Sequence, residues 1–91
     1  MRTIRYQAQF RKDYKKLTRQ GRSAAILQHA AETLRTGGIL ADRAHDHALS
    51  GDYPGCRECH LAPDWLLIYR IDETENELIL IRTGSHSELF G

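Results

Sequence analysis

Residues 64–83 read D-W-L-L-I-Y-R-I-D-E-T-E-N-E-L-I-L-I-R-T, two apolar runs on either side of a polar turn. The first run, over 64–71, is almost entirely apolar, which is typical of a central strand that is covered on both faces. The second run, over 77–83, is a further strand, and the polar residues 72–76 form the turn. This stretch therefore predicts the middle of a sheet.

The residues upstream of this pair predict two more strands and two helices. A strand over 55–61 leads into the central run, and the alternating residues 3–8 are typical of a half-buried strand. Between these strands, apolar residues recur at spacings of three and four in two stretches, which is the pattern of amphipathic helices. The first helix ends at Gly21, and the second runs from the N-cap Ser23 to Gly37.

The order of these elements, β-α-α-β-β-β, predicts an α+β fold in a single domain over residues 1–91. Two N-terminal helices would pack on a mostly antiparallel four-stranded sheet, with a short tail or helical turn at 84–91. The segment 39–54 reads as a loop rich in Asp, His and Gly. A loop of this length in a small domain is often functional.

The net charge of +1 conceals an uneven distribution along the chain. Residues 1–22 hold eight basic side chains and the single acid Asp13, a net +7, whereas the remainder holds five basic and eleven acidic side chains, a net −6. A basic segment of this kind can bind a polyanion through phosphate contacts. A solvated helix face is the alternative interpretation of the same charges.

Nothing in the sequence resembles a secretory signal, and no apolar run is long enough to cross a membrane. We therefore expect a cytoplasmic protein with reduced cysteines and no membrane partner. The segment Cys56-Arg-Glu-Cys59-His60 matches the attachment motif of c-type haem, but that chemistry belongs to exported proteins. On a strand the two thiols point to opposite faces, and zinc needs further ligands, so Cys59 is interpreted as a small core residue. We expect no metal and no cofactor.

Three histidines and an aspartate are candidates for acid–base chemistry. His60 ends one strand and Asp64 starts the next, so antiparallel pairing places both at one end of the sheet, where loop and tail can bring His47 and His86. RNA cleavage without a metal needs a base for the 2′-hydroxyl and an acid for the leaving 5′-oxygen, and histidine titrates near neutral pH. Arg82 is a candidate to stabilise the phosphorane. The alternative is that these histidines are ordinary surface residues.

Three joined motifs in the C-terminal half favour the enzymatic interpretation. They are Asp46-His47-Ala-Leu-Ser-Gly51, then Cys56-Arg57-Glu-Cys-His60-Leu-Ala-Pro63-Asp64-Trp65-Leu-Leu-Ile-Tyr69, and finally Arg82-Thr-Gly-Ser-His86-Ser-Glu-Leu-Phe90-Gly91. In residue type and spacing they resemble the YafQ family of RelE-superfamily toxins, whose pattern is approximately D-H-x-L-x-G, R-x-x-H-x-x-P-D-W-x-L-I-Y and R-T-G-S/T-H-x-x-L-F. The resemblance covers residues 45–91 in register, and the N-terminal half agrees in topology.

The resemblance implies a RelE-like fold and the toxin of a type II toxin–antitoxin pair, a ribosome-dependent endoribonuclease that cuts mRNA in the A site. Carried over motif by motif, it implies a catalytic group of His47, His60, Asp64 and His86. His86 would act as general acid, and Asp64 or His47 as base. His60 would orient a partner or stabilise charge.

The same resemblance implies that Arg82 binds the scissile phosphate and that Phe90 helps to place the nucleotide by stacking. It also implies a ribosome, an mRNA substrate and a cognate antitoxin as partners. On charge alone, the basic segment would contact ribosomal RNA phosphates without sequence specificity, through Arg11, Lys12, Lys15, Lys16, Arg19 and Arg22. An acidic antitoxin segment that folds on binding would be able to cover the same surface.

Two rival functions stay open on the sequence. A relative of the same fold that inhibits DNA gyrase would need no His/Asp constellation, so the four candidate catalytic residues argue against it. A non-catalytic binding module, kept for antitoxin or operator binding, is disfavoured by the complete motifs.

Overall fold

A computed structural model describes residues 1–49 and 51–91, so Ser50, within the predicted loop 39–54, lies outside the described residues. The strands are β1 (Thr3–Tyr6), β2 (His47–Ala48), β3 (Arg57–Ala62), β4 (Trp65–Asp72) and β5 (Glu77–Gly84). The helices are α1 (Ala8–Arg19), α2 (Ala24–Arg35) and α3 (His86–Phe90), and a 3-10 turn covers Asp42–Ala44. The α+β class and the order of the predicted elements are confirmed.

One sheet with the strand order β1-β5-β4-β3-β2 organises the fold. The strands β3, β4 and β5 form an antiparallel meander, and β1 pairs with β5 in parallel. Within the described residues the sheet thus has five strands, where the sequence predicts four. The additional strand is β2, which pairs His47 with Glu58 and Ala48 with Arg57 inside the predicted loop. A strand this short shows no period in the sequence.

The middle strand β4 is buried on both faces, as its apolar sequence predicts. Leu67 and Tyr69 pack in the cluster that the apolar sides of α1 and α2 cover. Leu66 and Ile68 pack on the opposite side, where Leu89 of α3 covers them. All four of these β4 side chains are completely buried, so the core needs the helices on both faces of the sheet.

Cys56 and Cys59 are free thiols in different apolar clusters on opposite sides of the sheet. Cys59 has no solvent exposure. Burial raises the pKa of its thiol to about 12, so the group stays protonated and unreactive at neutral pH. The interpretation of Cys59 as a small core residue is therefore confirmed.

The N-termini of α2 and α3 differ in how they are capped. Ser23 precedes α2 as predicted, but its side chain makes no capping hydrogen bond. The predicted tail contains α3, whose Ser85 hydroxyl accepts the Glu88 backbone N–H at 3.2 Å while the Glu88 carboxylate accepts the Ser85 N–H at 2.8 Å. This reciprocal capping box stabilises a helix that is too short to form alone.

We predict that Leu67→Ala lowers the free energy of unfolding by about 2–5 kcal/mol, because the substitution leaves a cavity in a fully buried site. Ile39→Ala is the matched control, since Ile39 is 94% exposed and its loss should change stability by less than about 0.5 kcal/mol. Urea denaturation of both variants measures the difference. Equal effects of the two substitutions would contradict this description of the core.

Candidate active site

The clearest polar contact in the site joins α3 to the turn between β3 and β4. His86 Nδ1 lies 2.9 Å from Oδ1 of Asp64, and the His86 backbone N–H donates to the same oxygen at 3.1 Å. These two hydrogen bonds hold the pKa of Asp64 below its usual range, and the side-chain bond has the larger effect. The ionised carboxylate therefore orients the His86 ring with Nδ1–H as donor and leaves Nε2 outside this contact.

His60 of β3 lies beside this pair. Its ring centroid is 5.7 Å from that of His86 and 5.6 Å from that of His45, with both neighbours edge-on. The predicted meeting of His60, Asp64 and His86 at one end of the sheet is therefore observed. His45 also lies beside this group, although the sequence analysis gave it no role. Its backbone has a φ of 47°, which is uncommon for a residue other than glycine.

Glu58 is the functional candidate that the sequence analysis missed. Its side chain is only 7% exposed, and its two carboxylate oxygens lie 3.3 Å from His47 Nε2 and 3.9 Å from His60 Nε2. A buried carboxylate is rare unless it is paired. The available signal was the strand period, because residues two apart on a strand share a face and Glu58 precedes His60 by that spacing.

His47 is held on β2 with both ring nitrogens next to oxygen acceptors. Its Nδ1–H donates to the His45 carbonyl oxygen at 2.6 Å, and its Nε2 faces Glu58. The preceding Asp46 anchors this segment, since its carboxylate accepts the Tyr69 hydroxyl at 2.5 Å and the Arg57 Nε–H at 3.2 Å. The predicted loop thus delivers His47 to the site through a fixed strand pairing.

Arg82 lies near the end of β5, where an acid on α1 holds its guanidinium. Its Nε and Nη2 lie 2.8 Å and 3.2 Å from the two carboxylate oxygens of Asp13. This ion pair raises the pKa of Arg82 above its usual value. A register shift in β5 lies just before Arg82, and a bulge of this kind re-aims the neighbouring side chain.

Phe90, the second predicted substrate residue, is 44% exposed at the end of α3. Its ring stands edge-on to Tyr53 with the centroids 5.6 Å apart. The Tyr53 hydroxyl donates to the Leu89 carbonyl at 3.1 Å and so ties the end of α3 to the preceding loop. An aromatic face that is fixed and half-exposed is suited to stacking on a base.

The site also offers ligands for a metal ion and space for a substrate. One ligand atom each from Glu58, His60 and His86 lie within 4.8 Å of one another. Two imidazole nitrogens and a carboxylate oxygen suit zinc or copper. A cavity of about 680 Å³ opens beside His60, between α2 and β3, and His29 and His45 are among its walls.

The predicted basic segment is only partly a free surface. Lys12, Lys15 and Arg19 are exposed on α1. The acid of this helix, Asp13, is buried and therefore does not lie on the exposed basic side. Three of the six predicted ribosome contacts have partners within the described residues: Arg11 lies over the Tyr6 ring, Lys16 pairs with Glu88, and Arg22 lies 5.4 Å from the Trp65 ring centroid.

The family model for the bacterial toxin of type II toxin–antitoxin systems, YafQ, matches residues 2–91. The chain belongs to the YafQ family. The mRNA interferase toxin YafQ of Escherichia coli (strain K12) is 34% identical over 91 residues, which span 99% of this chain and 97% of that protein. The resemblance drawn from the C-terminal motifs is therefore confirmed.

Solved YafQ-like structures extend the agreement to the fold. A metal-bound toxin from Helicobacter pylori is 46% identical, with a TM-score of 0.94 over 99% of this chain and 100% of that one. The YafQ chain of the E. coli DinJ–YafQ complex is 34% identical, with a TM-score of 0.89 over the full length of both chains. Among the described residues, no helix is both long and apolar enough to span a bilayer.

We predict a pH-dependent contribution of Glu88 to stability. Its contact with Lys16, with help from the capping N–H of Ser85, lowers the pKa of Glu88 from 4.5 to about 2. Because the pKa is lower in the folded chain, ionised Glu88 stabilises the fold above pH 4.5, and this contribution is lost as the pH falls towards 2. Glu88→Gln should therefore lower the free energy of unfolding at about pH 7 and lower it much less at about pH 3.

Urea denaturation of wild type and Glu88→Gln at the two pH values measures this effect. Glu75→Gln is the matched control, because Glu75 is exposed in the β4–β5 turn. A difference between wild type and Glu88→Gln that is the same at both pH values would show that the carboxylate charge is not what stabilises α3.

Proposed function

We propose that this chain is an mRNA interferase, a ribosome-dependent endoribonuclease that a protein antitoxin neutralises. Relatives named mRNA interferase toxin and the E. coli DinJ–YafQ complex support the class and the kind of partner. The observation that carries the proposal is the pair of histidine rings, His60 and His86, side by side at one end of the sheet. A carboxylate stands behind each ring, Asp64 behind His86 and Glu58 near His60.

We assign the general acid to His86. Asp64 fixes Nδ1–H, so Nε2 is the nitrogen that would carry the proton to the leaving 5′-oxygen. The same contact gives Asp64 an orienting role, which we prefer to the role of base that the resemblance allowed. Asp64 resembles in this respect the carboxylates that orient imidazole rings in catalytic triads.

We assign the base to His60. The 2′-hydroxyl and the 5′-oxygen flank one phosphorus atom, so acid and base must stand close together, and the His60 and His86 rings do. Glu58 would stabilise the imidazolium that forms on His60 once it has taken the 2′-hydroxyl proton. His47 faces the same carboxylate from β2, where it would stabilise negative charge on the phosphate rather than accept a proton.

Arg82 and Phe90 would then place the substrate. Arg82 presents a guanidinium at the same end of β5 from which α3 carries His86, where it would bind the scissile phosphate and stabilise the phosphorane. The exposed face of Phe90 would stack on a base. The cavity beside His60 has room for a neighbouring nucleotide.

A metal ion fits the residues Glu58, His60 and His86, and two of the relatives are described as a metal-bound and a copper-bound toxin from Helicobacter pylori. A bound metal would supply a Lewis acid for a phosphate oxygen. It would take the imidazole lone pairs that the two histidines use to move protons. The mechanism proposed for this chain therefore rests on its side chains.

The exposed basic side of α1 is proposed as the ribosome contact. Lys12, Lys15 and Arg19 point to solvent and can neutralise phosphates without reading sequence. The antitoxin would reach the same side of the molecule. A groove of about 710 Å³ between β1, α1 and α2 has apolar walls and the basic side chains Arg11 and Lys15 in its lining. The acid in the lining, Glu32, is paired with Arg35, so the groove suits an amphipathic acidic segment.

We predict that His86→Ala lowers the single-turnover rate of mRNA cleavage on ribosomes by at least about 100-fold, because an acid–base role contributes about 10²–10⁴-fold. Glu75→Ala is the control, since Glu75 is exposed in the β4–β5 turn, at the end of the sheet away from the acid–base pair. Primer extension on a translated reporter mRNA measures the rate. Growth arrest without mRNA cuts would favour the gyrase-inhibiting alternative, and neither arrest nor cuts would favour a binding module.

The chemistry of the product tests the nucleophile. Attack by the 2′-hydroxyl leaves a 2′,3′-cyclic phosphate or 3′-phosphate end, which end-group analysis of the fragments detects. Lowering free divalent ions just short of ribosome dissociation should not slow cleavage. A 3′-hydroxyl end would show that a metal-activated water attacks instead.

We predict that the combined variant Lys12→Glu, Lys15→Glu and Arg19→Glu weakens ribosome binding but leaves the cleavage rate at saturating toxin nearly unchanged. Lys16 is omitted because its contact with Glu88 supports α3. The slope of log K against log salt should fall by roughly 0.7–0.9 for each phosphate that the variant no longer neutralises. A Lys12→Arg and Lys15→Arg variant keeps the charge and should bind normally. An unchanged salt slope in the charge-reversed variant would show that the basic side of α1 is only solvated and does not contact the ribosome.

A further inference from the structure

Asp13 is an acid in an otherwise basic helix, and it is buried. It is the single acidic residue among residues 1–22, and its side chain is only 9% exposed. The ribosome-contact proposal gives it no task, since a carboxylate repels phosphates. The Gln9 side-chain amide of the same helix donates to its Oδ1 at 3.1 Å. Its other contacts point inward to β5, which leads into α3 and His86.

The Asp13 carboxylate is fixed by the edge of the sheet. Among the residues that the structure describes, β1 pairs with the first half of β5, up to Leu80, and no strand pairs with the rest of that edge. Asp13 accepts the backbone N–H of Thr83 at 3.2 Å. Thr83 is itself locked, because its hydroxyl accepts the Trp65 indole N–H at 2.9 Å and donates to the Leu66 carbonyl at 2.8 Å.

From this fixed point Asp13 orients Arg82. It binds Nε and Nη2, which form one edge of the planar guanidinium, through two separate oxygens. Two parallel bonds on one edge define both the position and the plane of the group. The other edge is formed by Nη1 and the second N–H of Nη2, and Arg82 retains 24% exposure. Tyr53 is a second neighbour of the guanidinium, so a phosphate would approach this edge beside the Tyr53 hydroxyl.

We propose that Asp13 is a positioning residue for RNA cleavage, which holds Arg82 so that the outer edge of its guanidinium meets the scissile phosphate in the transition state. This inference rests on the proposed function. Its physical basis is that an arginine side chain has many rotamers, and an orientation set before the substrate binds removes an entropic cost from the chemical step. Helix α1 would then serve binding with its outer side and chemistry with its inner side.

The test is a double-mutant cycle on the single-turnover cleavage rate at saturating ribosomes. Asp13→Asn keeps one oxygen for the N–H groups that share Oδ2, those of Thr83 and of Arg82 Nε, but places an amide where Arg82 Nη2 needs an acceptor, so the guanidinium is no longer held at two points. We expect at least a roughly tenfold loss of rate with nearly unchanged ribosome affinity, and no further loss when Asp13→Asn is added to Arg82→Ala. Asp72→Asn is the matched control, because Asp72 ends β4 at the opposite end of the sheet and should keep the wild-type rate.

Two further measurements separate positioning from a merely structural role. In ¹⁵N NMR of the intact chain, the two Nη groups of Arg82 should give separate resonances in wild type, because Nη2 is held by Asp13, and one averaged resonance in Asp13→Asn, which lacks the acceptor of Nη2. Arg82→Lys keeps the charge but lacks the planar edge, so it should lose rate about as much as Asp13→Asn, and this variant remains informative if Asp13→Asn does not fold.

The outcomes are distinct. Cleavage at the wild-type rate by folded Asp13→Asn or by Arg82→Lys would overturn the positioning role while His86→Ala still tests the proposed function. If Asp13→Asn lowers the cleavage rate by the same factor in the wild-type chain and in Arg82→Ala, Asp13 acts only on the fold. That result would also overturn the positioning role. Absence of any cleavage by wild type would overturn the proposed function and this inference together.

Discussion

The side chains of β4 from Leu66 to Tyr69 are completely buried, and the packing of the other elements depends on this burial. Because both faces must be covered, α1 and α2 pack on one side and the short α3 packs on the other through Leu89. The helices on each face of the sheet carry part of the candidate site. Helix α3 begins with His86, and α1 supplies the Asp13 that holds Arg82. The burial of β4 therefore determines where the helices that carry the candidate site residues lie.

The site is a row of three histidines and two carboxylates in which every histidine has a carboxylate beside it. Asp64 binds His86, the His86 ring stands beside His60, and His60 and His47 both face Glu58. In the proposed mechanism this arrangement would compensate charge, since an imidazolium on any of the three rings would have a carboxylate near it. The same donors suit a transition metal, so proton transfer and metal binding would compete for the same nitrogens.

Helix α1 shows how one element serves two surfaces. Its inner side carries Phe10, Asp13 and Leu17 into the core, and its outer side leaves Lys12 and Lys15 in solvent. Lys16 lies between the two sides and stabilises the capping box of α3 through Glu88. The positive charge of the first 22 residues is therefore divided between contacts within the fold and a surface that is free to bind phosphates.

The sequence by itself determined the α+β order, the doubly buried β4 and the meeting of His60, Asp64 and His86, because strand periods and antiparallel connections are local properties. Its motifs also determined the family. Only the tertiary structure decided that a fifth strand, β2, holds His47 against Glu58, and that Asp13 belongs to Arg82 rather than to the helix surface. These pairings join residues 11 and 69 positions apart. No local pattern specifies such a pair, since it forms only when the buried sheet edge and the packed helix bring the two groups together.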